Sequence, residues 1–223
     1  MNKGVSDLKL KTAAGGWLAA AWLLLVAQLS VAGTLAGSKH DFSAAAWDGG
    51  QICVACHTPH NANSTAAPLW NHAVSTASYT LYTSTMLHAT ILQPMMTDKL
   101  CLSCHDGTVA LDSFGNKTGT AFVSGANLIG TDLTVHHPSS IVFDAALAGQ
   151  KRLLLNNPDS MVVTIGAGTL AKQGTITAVM LNSNHQLQCS GCHDVHNTYN
   201  ATTDKLLKIS NAGNSICFAC HRM

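Results

Sequence analysis

Glutamate is missing from this 223-residue chain: all eleven acidic side chains are Asp, set against twelve Lys and Arg, for a formal net charge of +1. Charged residues make up only 10% of the sequence and form no basic patch, which leaves nothing for a nucleic acid backbone to follow. Aromatic residues are also few. Beyond residue 32 there are ten, namely Phe42, Trp47, Trp70, Tyr79, Tyr82, Phe114, Phe122, Phe143, Tyr199 and Phe218. That is thin for the core of a segment as long as 33–223. Long apolar runs are absent after residue 33, so no helix there is expected to cross a bilayer. No cysteine stands alone. All eight fall in four C-x-x-C pairs, and these pairs carry the chemistry.

Each pair is followed directly by histidine. The four C-x-x-C-H units are Cys53–His57, Cys101–His105, Cys189–His193 and Cys217–His221. This spacing is the attachment signature of a c-type haem. The two thiols bond the porphyrin vinyl groups, and the histidine reaches the iron from the same side. Structural zinc would need the cysteine pairs but gives no reason for a histidine after every second cysteine. A disulfide framework leaves the histidines unexplained too, and two intervening residues are short for a bridge. The expected cofactor is haem c, four per chain, attached through Cys53, Cys56, Cys101, Cys104, Cys189, Cys192, Cys217 and Cys220. The proximal iron ligands are then His57, His105, His193 and His221. Four porphyrins supply the apolar mass that the aromatics do not. Their propionates make the holoprotein acidic, although the polypeptide is near neutral.

The first 32 residues read as a signal peptide that is removed. Lys3, Lys9 and Lys11 precede an apolar run from Ala13 to Leu29, and Ser30-Val31-Ala32 offers small residues for cleavage. The alternative, a permanent anchor, fits less well because the run is short for a span and the small-residue site follows at once. Export accords with haem attachment, which takes place outside the bacterial inner membrane. The expected location is extracellular or at the cell surface, with the periplasm as the alternative.

The remainder, 33–223, reads as one tetrahaem domain. Haem pair A occupies 33–107, an intervening segment 108–184, and haem pair B occupies 185–223. Cys53–Asn61 and Cys189–Asn197 both read C-x-x-C-H-x-x-H-N, and each is followed by a plainer unit, so the chain looks like two haem pairs. Thr97 or Asp98 can cap a helix over the second unit, and Gly107 follows its end. The runs Ser140–Phe143, Met161–Ile165 and Thr175–Leu181 lean towards β structure, and the last two can pair across the glycine-rich 166–174 segment. The expected fold class is a multihaem cytochrome c. A mostly irregular chain wraps round four haems, with short helices at the C-x-x-C-H motifs and little β beyond a hairpin within 160–182.

The sixth iron ligand decides whether a haem carries electrons or binds a substrate. Eight further histidines remain: His40, His60, His72, His88, His136, His137, His185 and His196. This surplus argues for bis-histidine coordination and against an open catalytic iron. His60 and His196 lie three residues after a proximal histidine. They cannot fold back onto the same iron but can reach a neighbouring haem. His137 is stiffened by Pro138, and His136 beside it is the solvated neighbour. His40 lies on a short arm just past the cleavage site, within reach of its own core or of another subunit. His72 follows the apolar pair Leu69-Trp70. These five, His60, His196, His137, His40 and His72, are the distal candidates. His88 and His185 read as ordinary polar residues, and Met95, Met96 and Met180 as packing.

The stretches Lys39-His40-Asp41, Ile52–Asn61, Pro68–His72, Leu100–Gly107, His137-Pro138, Cys189–Asn197 and Ser215–His221 resemble the multihaem c-type cytochromes of metal-reducing bacteria. Within that group, four haems in this length resemble the OmcE-type tetrahaem outer-surface cytochromes, whose subunits polymerise into extracellular filaments. The resemblance implies an irregular fold, a continuous stack of bis-histidine haems, electron transfer without a substrate pocket, and an axial histidine passed between subunits. The doubled His136-His137 departs from that pattern and leaves two candidates for one ligand. The partners implied are other redox proteins or extracellular electron acceptors, and further copies of the same chain. A soluble periplasmic shuttle is the alternative within this class. A multihaem reductase is the alternative from another class and would need an iron with an open site.

Overall fold

The computed structural model describes residues 35–63, 66, 68–199 and 205–222. The chain divides into two compact units, Met1–Ala32 and Gly33–Met223. The segment read as a signal peptide lies outside the described residues. Among the described residues, no helix is long and apolar enough to cross a membrane.

Among the described residues the longest helix, α1 (Met96–His105), covers the second attachment unit. Its Met, Lys and Leu residues are good helix formers. At its end Gly107 adopts φ +75°, the left-handed conformation that stops a helix. Neither Thr97 nor Asp98 caps its start. The helix begins at Met96, Met95 takes the cap position without a side-chain bond, and Asp98 turns inward to full burial. There Asp98 accepts hydrogen bonds from Ser140 Oγ (2.6 Å) and from the Cys189 amide (2.5 Å). Those tertiary partners outcompete a local cap.

Next come β1 (Ile141–Val142) and the single turn α2 (Ala145–Ala148), capped by Asp144, which accepts from the Leu147 amide at 2.8 Å. β2 (Val162–Ile165) and β3 (Lys172–Thr175) form the antiparallel hairpin, with Val162 opposite Thr175 and Ile165 opposite Lys172. The expected second strand, Thr175–Leu181, is displaced. The strand ends at Thr175, whose hydroxyl accepts from the Ala178 amide and so starts α3 (Ile176–Met180). A threonine cap outweighs the β preference of Ile176, Thr177 and Val179. β4 (Gln186–Leu187) pairs antiparallel with β1. α4 (Cys189–Cys192) and α5 (Ser215–Cys220) hold the last two attachment units. The rest of the described chain is turns, bridges and short 3-10 segments, in keeping with a mostly irregular cytochrome-like chain.

The apolar core is one-sided. Phe143, Leu147, Val163, Ile165, Ile176, Val179 and Met180 pack together with Ala219, and Cys192 and Cys220 lie against them. The intervening segment is therefore the foundation of pair B. Around pair A the buried groups are largely polar: Ser75, Asp98, Ser103, Asp106, Ser113 and His72.

Candidate functional site

Three of the four attachment units are held in the same way. In units 3 and 4 a short helix carries the cysteine pair; in unit 1, where a short helix was expected, there are only turns, and what all three share is the histidine amide donating to the carbonyl of the first cysteine. The chain leaves at the histidine in extended geometry, as at His193 (φ −108°, ψ 142°) and His221 (φ −98°, ψ 138°). A distant strand then clasps each histidine through an antiparallel bridge: Trp70 to His57, Leu207 to His193, and Leu155 to His221. In each clasp the residue after the histidine donates its amide to a leucine carbonyl: Thr58 to Leu69, Asp194 to Leu206, and Arg222 to Leu154. Two residues beyond that leucine, the amide returns to the carbonyl of the second cysteine: Asn71 to Cys56, Lys208 to Cys192, and Asn156 to Cys220. All three leucines have positive φ, +56°, +52° and +46°, a conformation that a β-substituted residue rarely adopts. Asn61 and Asn197 repeat likewise at +58° and +51°. The C-x-x-C-H-x-x-H-N repeat thus extends to a clasp that no local motif announces. Unit 2 differs, since His105 ends a full helix and its carbonyl accepts from the Ile129 amide instead.

Backbone carbonyls orient three of the four motif histidine rings. His57 Nδ1 donates to the Pro68 carbonyl (3.1 Å), His105 Nδ1 to that of Asn127 (2.8 Å) and His193 Nδ1 to that of Lys205 (2.8 Å). With the proton held at Nδ1, Nε2 carries the lone pair that binds a metal.

Three proximal rings face a second histidine. His57 and His196 stand 6.1 Å apart between ring centres with planes at 24°, His105 and His40 at 6.0 Å and 53°, His221 and His137 at 6.5 Å and 78°. Metal–nitrogen bonds of about 2 Å, each extended by about 1 Å to the ring centre, set two imidazoles roughly 6 Å apart across one metal ion. The three separations match that spacing. Burial, helped by the neighbouring His105 and His193, holds the His40 imidazole down at about 4, in the neutral form a metal requires. Burial likewise lowers His221, with His137 adding to it. His137 Nδ1 donates to the Pro138 carbonyl at 2.9 Å, which leaves its Nε2 free as in the proximal rings.

The other candidates are placed differently. His40 is folded onto its own chain rather than extended as a free arm, because its ring sits against His105. His72 is 3% exposed, and both of its ring nitrogens contact carbonyl oxygens, Nδ1 that of Ala73 (2.7 Å) and Nε2 that of Ala110 (3.0 Å). His60 is exposed and lines a shallow cavity with Val54, Thr58 and Phe114. His88 and His136 are exposed, and His185 lies 4.0 Å from Asp159. No histidine ring contact is made by His193 among the described residues.

The thiols run through space in chain order. Cys56 lies close enough to raise Cys104 and is itself raised by Cys101, Cys101 and Cys189 act on one another, and Cys220 is raised by Cys192 and Cys217. Burial is the larger cause at Cys56, Cys104 and Cys220, pushing them up to about 11, 12 and 12. None of the eight cysteines is paired in a disulfide, and no cluster of three His, Cys or Asp able to hold a bare metal ion occurs among the described residues.

Residues 181–223 match the doubled CXXCH motif family. No curated protein matches the chain. The doubled motif supports a multihaem, haem-binding cytochrome of the c type, with haem c attached covalently and a role in electron transport.

Proposed function

We propose that the chain is an exported tetrahaem cytochrome that moves electrons through closely spaced bis-histidine haems, and that it is not an enzyme. The observation that carries this reading is the set of three facing histidine pairs at the separation one iron demands. His57 and His196 hold haem 1, His105 and His40 haem 2, and His221 and His137 haem 4. His193 holds haem 3, with the exposed His60 of a neighbouring subunit as the candidate for its far side. Haem iron supplies a one-electron couple, and the chain's residues fix its position, exclude water and set its potential. The chain order of the attachment thiols supports a continuous relay from haem 1 to haem 4.

The cytochrome works as the subunit of a homopolymer outside the cell, passing electrons to other redox proteins or extracellular acceptors. Low charge supports extensive weakly charged contacts between copies. The exposed His193, which has no facing imidazole of its own, is where a neighbouring subunit can supply a ligand, and a head-to-tail contact that does not close gives a filament.

The test is covalent loading together with ligand saturation. The denatured, secreted chain should retain haem stain and carry the mass of four haems. Carbon monoxide should leave three haems of the reduced protein unchanged. Fewer than four haems on the intact chain contradicts the count. Carbon monoxide binding to haem 3 within assembled filaments favours the reductase instead.

A further inference from the structure

We infer that Asp98 is a buried charge that lowers the reduction potentials of the two central haems, 2 and 3. The inference rests on the tetrahaem reading and adds to it a residue that tunes the relay.

Asp98 is completely buried. It lies on α1 one turn before Cys101, so its side chain shares a face with the first thiol of unit 2. Its Oδ1 accepts from the amide of Cys189, the first thiol residue of unit 3. One carboxylate therefore sits against the attachment points of two haems, and it acts on both sulfurs, Cys101 and Cys189. Both of its oxygens are acceptors. Ser140 takes the Met95 amide on its Oγ lone pair at 3.4 Å, and this directs the hydroxyl proton to Asp98 Oδ2 at 2.6 Å. No ion pair involves Asp98 among the described residues. The adjacent cation, Lys99, points away, with its Nζ on the Ala77 carbonyl at 2.9 Å and over the Tyr79 ring.

A charge with neutral partners in a low-dielectric site acts strongly on its neighbours and is little screened by salt. A ferric haem carries one more positive charge than a ferrous haem. The carboxylate therefore favours the ferric state, which lowers the potential. Haem 1 has a comparable group, since the buried Asp48 acts on Cys56, whereas no carboxylate acts on the haem 4 thiol Cys220. Electrons therefore rest more readily at haem 4 than at the centre of the relay.

The experiment is a redox titration of the four-haem protein carrying Asp98→Asn, at low and high salt. Asparagine keeps an acceptor for the Cys189 amide and removes the charge. Two of the four one-electron waves should move upward by the same amount at both salt concentrations, while the other two hold. Four loaded haems with unmoved waves overturn the inference and leave the tetrahaem reading intact. Should Asp98→Asn not load haem, Ser140→Ala serves: it keeps the charge and removes a neutralising donor. A downward move of the same two waves is then expected, and unmoved waves overturn the inference. A haem count other than four in the unaltered protein contradicts the tetrahaem reading instead.

Discussion

The two halves of this chain hold similar attachment units on different foundations. Units 1 and 3 share the same clasp, down to a leucine and an asparagine at positive φ. Beneath pair B lies an apolar cluster built from the hairpin and α3. Around pair A there is instead a polar web in which Asp106 accepts from Ser75 Oγ and Tyr79 Oη, both at 2.6 Å, and from the Thr108 amide and hydroxyl. The backbone at the histidine is thus the same in units 1, 3 and 4, while the material behind it varies. An apolar foundation derives its stability from area removed from water; a polar one derives it from the cost of leaving any member unpaired.

The halves meet where His57 of pair A faces His196 of pair B and where Asp98 accepts from the Cys189 amide. Removing the histidine link should have the largest effect. His196→Ala should turn one haem high-spin and open it to carbon monoxide, whereas His72→Ala should leave every haem low-spin, because both His72 nitrogens are engaged by carbonyls. Visible spectra with and without carbon monoxide check both.

The apolar foundation comes next. Ile176→Ala, at a fully buried position, should cost about 2–5 kcal/mol of stability in denaturant titrations. Its polar counterpart is Tyr79→Phe, which removes one donor from Asp106 and should cost about 1–3 kcal/mol. An equal or larger loss for Tyr79→Phe would reverse the ranking of the two halves.

The smallest effect concerns acid. Asp112 accepts from the Thr120 and Ala121 amides at 2.9 and 2.8 Å, and the Ala121 amide is the main reason its carboxyl titrates below the ordinary range. A depressed folded-state value contributes stability that is present above the unfolded value of about 4 and is lost as pH falls through the folded one. Asp112→Asn should therefore flatten the stability profile slightly on the acid side and leave its slope near neutrality unchanged. Denaturation midpoints measured across that range would show the difference.

The attachment units were legible because their chemistry is local: two thiols and a histidine within five residues. The hairpin was legible from its β-leaning runs, but its second strand was not, because Thr175 serves as a helix cap and turns the chain early. The clasps were illegible for a physical reason. They join residues outside the motif, at unit 4 from as far back as Leu154, and their positive φ falls on leucine, where no glycine marks it. Asp98 read as a cap because Asp near a helix start normally is one; only the fold brings Ser140 and Cys189 to it. His40 read as an arm able to reach its own core or another subunit, because its partner, His105, lies 65 positions on and is reached only through tertiary structure.

The central claim, that the facing histidines are axial pairs on iron, meets its most direct test in the electron paramagnetic resonance spectrum of the oxidised protein. Imidazole planes that are nearly parallel split the iron π orbitals together, and planes that are nearly perpendicular cancel the splitting. The 24° pair of His57 and His196 should give a rhombic low-spin signal, and the 78° pair of His221 and His137 a more anisotropic one with a larger maximum g. Loss of the rhombic signal alone in His196→Ala would assign it. High-spin signals from haems 1, 2 and 4 in the unaltered protein would contradict the account.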